Sequence, residues 1–140
     1  KGAKLMAKKT GKAVALEDTG LFFEAYPDFP GAMPKFIFEK IGYDGIMRLL
    51  KDKNRNAYFK TVAAYCEPGH EPILFEGVMR GKITERVYNE DKDAMSYDRI
   101  FIPEGYDVTI SDMEMETKNS FSQRAQAFKK LARFLNDKEK

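Results

Sequence analysis

The chain has 140 residues, with 24 Lys and Arg against 22 Asp and Glu, a net charge of +2, and 43% hydrophobic and 33% charged residues. That length suits one domain with a full core, and the near balance of charge excludes the broad basic surface that a nucleic-acid polymer requires. The single cysteine, Cys66, excludes an internal disulfide and suits a reducing compartment, so a cytoplasmic location is expected; no apolar run reaches the ~18 residues of a membrane span.

The first residue is Lys1 rather than methionine, and Gly2 to Lys9 read as the middle of a helix with no cap before them. The expectation is a single domain over residues 1–140 that lacks an upstream strand-helix unit. Lys8-Lys9-Thr10-Gly11-Lys12 reads as a basic last turn and a glycine stop.

The stretch Val14 to Phe23 organises the rest. An apolar run leads into Glu17 and Asp18, then Thr19 and Gly20, then a second apolar run. Apolar flanks place it in the body of a sheet, and an extended chain points Glu17 and Asp18 to opposite faces. Two adjacent acids there read either as a divalent-metal or general-base site or as a strand end whose acids reach solvent. The loop Tyr26 to Pro34 holds three prolines and a glycine, and Pro34 is placed to open a helix. Phe36, Ile37 and Ile41, then Ile46, Leu49 and Leu50, predict two short helices broken near Gly42.

Ala57 to Tyr65 and Ile73 to Val87 predict an antiparallel hairpin around Glu67-Pro68-Gly69-His70, with bends or bulges at Gly77 and Gly81. The one histidine, His70, falls in the turn without a partner for metal or triad chemistry. Residues 88–96 read as a loop, Ile100 to Pro103 as a short strand, and Asp112 to Met115 as a short helical segment. In the last helix Phe121, Ala125, Phe128, Ala132 and Leu135 predict the buried stripe, and Ser120 with Gln123 fits a capping box. Lys118 and Arg124 beside its start read as an anion site or as surface charges.

Five segments in order resemble the inosine triphosphate pyrophosphatases: Glu17-Asp18-Thr19-Gly20-Leu21, Phe29-Pro30-Gly31, Ala57-Tyr58-Phe59-Lys60-Thr61, Tyr97-Asp98 with Ile100 to Tyr106, and Glu116 to Asn119 leading into Ser122-Gln123-Arg124. The resemblance implies an α/β fold, with a long twisted mixed sheet, flanking helices and two lobes around a nucleotide cleft. It implies a homodimer that uses Mg2+ to hydrolyse non-standard purine nucleoside triphosphates (ITP, dITP, XTP) to the monophosphate and pyrophosphate. Asp18 matches the carboxylate that serves the metal and the attacking water. Thr19, Lys35, Lys118 and Arg124 match substrate contacts, and Met95, Ser96, Tyr97, Asp98 and Gln123 fall in the base-recognition positions. On this reading Asp18 should face Lys118 and Arg124 across one groove.

The chain departs from the family pattern in four ways. The family's opening strand, with its Thr/Ser-x-Asn-x-x-Lys phosphate turn, has no counterpart. Gln123 stands for the usual histidine and Met95-Ser96 for the usual Phe-Gly. Arg99 replaces a common proline. These departures leave a second expectation, a non-catalytic nucleotide-binding or oligomerising relative.

Overall fold

In a computed structural model, which describes residues 2–138, the chain runs α1 (Gly2–Thr10), β1 (Val14–Phe23), β2 (Pro30–Gly31), α2 (Pro34–Leu50), β3 (Asn56–Cys66), β4 (Ile73–Ile83), β5 (Phe101–Pro103), α3 (Met115–Asn119) and α4 (Gln123–Lys138). Short 3-10 turns cover Ser96–Arg99 and Ile110–Asp112. The α/β fold with a sheet and flanking helices is as expected. The sheet order is β2-β1-β3-β4-β5, and every pairing among the described residues is antiparallel rather than mixed.

Strands β1, β3 and β4 form a long three-stranded core ribbon. Their register is continuous from Val14↔Cys66 to Phe23↔Ala57 and from Tyr65↔Ile73 to Asn56↔Lys82. Alternation then divides the side chains. One face carries Glu17, Thr19, Leu21 and Phe23 with Ala63, Thr61, Phe59 and Ala57. Leu21, Phe23, Phe59 and Met79 on this face meet Ile46 and Leu50 of α2 and Ile100 and Phe101 to form the main core. The other face carries Leu16, Asp18, Gly20 and Phe22, and α1 packs at its lower end through Ala3 and Ala7 against Cys66.

Pro34 starts α2, and Gly42 breaks it with φ 63 and ψ −173. That left-handed backbone is open to glycine at little cost, so the two halves can turn about it. Arg55 ties the end of this helix to the sheet. Its guanidinium donates to the carbonyls of Leu50, Ile83 and Thr84.

Neither Gly77 nor Gly81 makes a bulge, since both sit in unbroken register with β3. They are glycines because another backbone lies against them: a Cβ would stand 1.9 Å from the Gln123 carbonyl at 77 and 2.3 Å from the Ile102 carbonyl at 81. The second strand also ends earlier than its apolar pattern predicts, at Ile83. There Thr84 turns to donate its amide to Ile100.

Two expectations for the last helix are corrected. The cap is Ser122, whose Oγ accepts from the Ala125 amide at 3.2 Å, while the Ser120 hydroxyl donates to Thr117. The buried stripe is Ala127 and Leu131, not Phe121, Ala125, Phe128, Ala132 and Leu135. The helix is rotated toward β4 by polar contacts that periodicity does not register. Gln126 bonds both the N–H and the carbonyl of Val78, and Lys130 donates to the Glu76 carbonyl. These side chains cover the stretch of β4 edge that the short β5 leaves open. The expected short helical segment at Asp112 to Met115 resolves into the 3-10 turn and α3 on either side of it.

Candidate functional site

β1 pairs with β2 only at Leu21 and Phe22, so among the described residues its outer edge from Val14 to Gly20 has no partner strand. A groove of about 510 Å³ runs along this edge, bounded by Gly2, Ala3, Leu16 to Gly20, Phe22, Ala32, Lys60, Val62 and Ala64. Five consecutive residues of one strand line it. An edge strand offers its backbone groups and the margins of both faces to the same space.

Asp18 lies in this groove and is exposed, as is Glu17, so neither acid is the buried carboxylate that the apolar flanks suggest. The flanks are those of an open strand edge. Among the described residues Lys60 is the basic side chain lining the same groove, and it pairs with Glu76 at 3.3 Å.

The expectation that Asp18 faces Lys118 and Arg124 is not met. Alternation sends Asp18 to the α1 side of the sheet, while α4 packs on the other face, over Gly77. The acid that meets α4 is Glu17, whose Oε2 accepts from Arg124 Nε at 2.8 Å. The same guanidinium lies 5.2 Å from the Phe128 ring centroid, one helical turn on. Thr19 also points to the α4 side. Its hydroxyl bonds that of the fully buried Thr61 at 2.7 Å.

The other candidates form a second cluster on the α4 side. Lys118 Nζ donates to Asp98 Oδ2 at 3.1 Å, and both side chains are largely covered. Tyr97 is buried and its hydroxyl donates to the Pro34 carbonyl at 2.6 Å, which brings the 3-10 turn against the first turn of α2. Lys35 is therefore next in sequence to that contact, and it is exposed. The Ser96 carbonyl accepts from Tyr43, and Met95 projects into solvent. Burial pushes the Tyr97 phenol well above its ordinary pKa. Arg99, in place of a proline, donates to the carbonyls of Asn89 and Lys92 and so fastens the preceding loop.

Gln123 opens α4, and its Oε1 is buried with no hydrogen-bond partner among the described residues. Sequence reasoning missed Thr61 and Glu17 as neighbours of these groups. Thr61 lies in the Ala57-Tyr58-Phe59-Lys60-Thr61 motif, and only its pairing with Thr19 gives it a role.

No group of three or more His, Cys, Asp or Glu side chains converges among the described residues, so a closed protein-only metal cage is not what this surface offers. A long antiparallel sheet with flanking helices, an open edge strand that carries Glu17 and Asp18, and a groove along that edge defines an α/β protein.

A model of the Ham1 family matches residues 1–134, and the chain belongs to that family. Among curated relatives, a protein of Methanopyrus kandleri named dITP/XTP pyrophosphatase is 42% identical over 94% of this chain and 69% of its own length. One of Thermococcus kodakarensis with the same name is 39% identical over 97% of this chain and 72% of its own. The solved structure of a HAM1 protein from Coxiella burnetii matches with a TM-score of 0.82 at 26% identity, covering 96% of this chain and 73% of that one. The family and fold agree with the resemblance carried by the five segments.

Proposed function

We propose that this chain hydrolyses non-standard purine nucleoside triphosphates of the ITP, dITP and XTP type to the monophosphate and pyrophosphate. The carrying observation is the Glu17-Asp18-Thr19 step at the open edge of β1, where one groove touches both faces of the strand. The names of the relatives supply the substrate class.

Asp18 is the residue we assign to the attacking water and to Mg2+. A magnesium ion takes one or two carboxylates, with waters and substrate phosphates as its other ligands, and the groove-lining Asp18 fits that donor set. When bound with the nucleotide, the ion supplies positive charge to offset the phosphate oxygens. Asp18 orients the water and accepts its proton. Lys35, Lys118 and Arg124 are assigned to the substrate as its basic contacts, the last two on the α4 face rather than beside Asp18, and Thr19 and its buried partner Thr61 fix the strand between. Met95, Ser96, Tyr97, Asp98 and Gln123 form the base end, where Tyr97 anchors the turn to α2.

Asp98 accepts from Lys118, which holds both side chains at the base end. We assign the active form to a cytoplasmic homodimer, a compartment consistent with the free, buried Cys66. No helix among the described residues is long and apolar enough to cross a membrane.

The test is pyrophosphate release from dITP and XTP with dATP and dGTP as comparison, in the presence of Mg2+. Wild type should prefer dITP and XTP, and Asp18→Asn should lose about 10²-fold or more in kcat, the usual worth of a positioned base. Binding without turnover, or turnover indifferent to Asp18→Asn, rejects the reading.

A further inference from the structure

Arg99 closes the 3-10 turn Ser96–Arg99, one residue after Asp98, and takes no part in the reaction proposed above. Its guanidinium turns back into the protein. Nε donates to the Asn89 carbonyl at 3.2 Å, Nη2 to the Lys92 carbonyl at 2.6 Å, and Nη1 to the Tyr43 hydroxyl at 3.3 Å. Each of its nitrogens is therefore engaged within the chain. Among the described residues no carboxylate pairs with this cation.

The segment that Arg99 grips is the one that delivers Met95 and Ser96. It holds no helix or strand from residue 84 to residue 95, so no ladder fixes it. Its ties are individual bonds. The Tyr88 amide donates to the Arg99 carbonyl, Asn89 Nδ2 to Ser111 Oγ at 2.9 Å, and Lys92 Nζ to Asp112 at 3.0 Å. Met95 is 72% exposed, so its own packing does not place it.

Tyr43 joins this network to α2. Its hydroxyl accepts from Arg99 and donates to the Ser96 carbonyl at 2.8 Å. It follows Gly42, the break in the helix, while Tyr97 of the same turn bonds Pro34 at the helix start. One short turn is thus tied to α2 on both sides of its break.

We propose that Arg99 is a positioning residue for base selection: with Tyr43 as its relay, it locks the 88–95 loop onto α2 and holds Met95 and Ser96 where the purine base is read. This rests on the assignment of Met95 to Asp98 to the base end. A proline at 99 offers no side-chain donor, whereas an arginine reaches two loop carbonyls and a hydroxyl at once. Donors that carry charge make the stronger bonds. A loop held before binding has less freedom to lose when the ligand arrives.

Calorimetric titration with dIMP, and with pyrophosphate as a ligand that has no base, is the experiment, on wild type, Arg99→Ala, Tyr43→Phe and the double variant. Arg99→Ala should weaken dIMP binding by about three- to tenfold, the range expected for freeing a short loop, and leave pyrophosphate within about twofold. Tyr43→Phe keeps the ring against Phe38, 4.8 Å away between centroids, and loses only the relay. It should weaken dIMP by about two- to threefold, the worth of one neutral hydrogen bond, and it carries the test if Arg99→Ala fails to fold. The double variant should lose less than the product of the two single effects. Unchanged dIMP binding by both single variants overturns the proposal and leaves the base end standing. So does an equal loss for dIMP and pyrophosphate, which marks a general loosening of the fold. Wild type that takes up no dIMP overturns the base end and the proposal together.

Discussion

Gly77 of β4 and Gln123 of α4 meet backbone to backbone. A Cβ at position 77 would lie 1.9 Å from the Gln123 carbonyl, 2.7 Å from the Gln126 Cβ and 2.9 Å from the Ala127 amide nitrogen. The glycine is thus what lets the first turn of α4 settle on the sheet, with Gln123 and Arg124 over the Thr19–Thr61 row. Two of the three neighbours are backbone, which cannot rotate away. Gly77→Ala should therefore cost about 2–3 kcal/mol and lower Tm by about 5–10 °C, as overpacked sites do. Thermal melts of wild type and variant check this. A variant as stable as wild type would mean that α4 does not rest on β4.

The Thr19–Thr61 pair gives a second prediction. Thr61 is fully buried, and its hydroxyl is 2.7 Å from that of Thr19. Thr61→Val keeps the shape and leaves the Thr19 hydroxyl without this partner, a loss of about 1 kcal/mol. Thr19→Val should cost a similar amount, and the double variant should cost less than the sum. A denaturant double-mutant cycle measures the coupling, and strict additivity would deny the bond.

Stability at high pH should depend on Tyr97. Burial raises its folded pKa above the unfolded value of about 10. The unfolded chain then gives up the phenol proton first. The contribution is fully present below about pH 10 and is lost as pH rises beyond it. Between pH 9 and 11 wild type should lose about 1 kcal/mol more stability than Tyr97→Phe, on the linkage slope for one proton. At pH 8 the same variant should be the less stable of the two by about 1 kcal/mol, because it lacks the 2.6 Å bond to the Pro34 carbonyl. Urea melts at pH 8, 9 and 11 decide it. Parallel losses in both proteins would place the alkaline transition elsewhere.

Gln123 should trade stability against selectivity. Its buried Oε1 has no partner among the described residues, a condition that costs about 1–3 kcal/mol. Gln123→Met should raise stability by about 1 kcal/mol, since it removes the orphaned acceptor at nearly constant volume. The same change should narrow the preference for dITP over dATP, because the acceptor lies among the residues assigned to the base. Melting curves and paired kcat/KM values test the two halves separately. A destabilised Gln123→Met would mean that the amide is satisfied in the folded protein.

Much of the architecture could be read from the chain. Pro34 and Gly42 act through their own backbone limits, so the start and the break of α2 follow from residue type. The apolar alternation of Ala57 to Tyr65 and the Pro-Gly turn after it specify the β3–β4 hairpin. The glycines at 77 and 81 were legible as special positions but not in kind. A bulge and a close approach both require glycine, and only the neighbouring backbone tells them apart. The rotation of α4 was hidden for a related reason. Gln126 and Lys130 face the sheet through polar contacts to strand backbone, and hydropathy counts such residues as solvent-facing.

The sequence by itself determined the family, the long strands and helices and the cast of charged groups, because those reside in local motifs and in residue type, while the two-residue β2 lay hidden in a stretch that reads as a loop. Which of two adjacent acids meets the arginine was decided by tertiary structure alone. A strand fixes only that Glu17 and Asp18 point opposite ways. The partner that assigns the faces is Thr61, 42 residues from Thr19, together with a helix that arrives still later in the chain. Register across that distance turns Glu17 toward Arg124 and Asp18 toward the face that α1 covers.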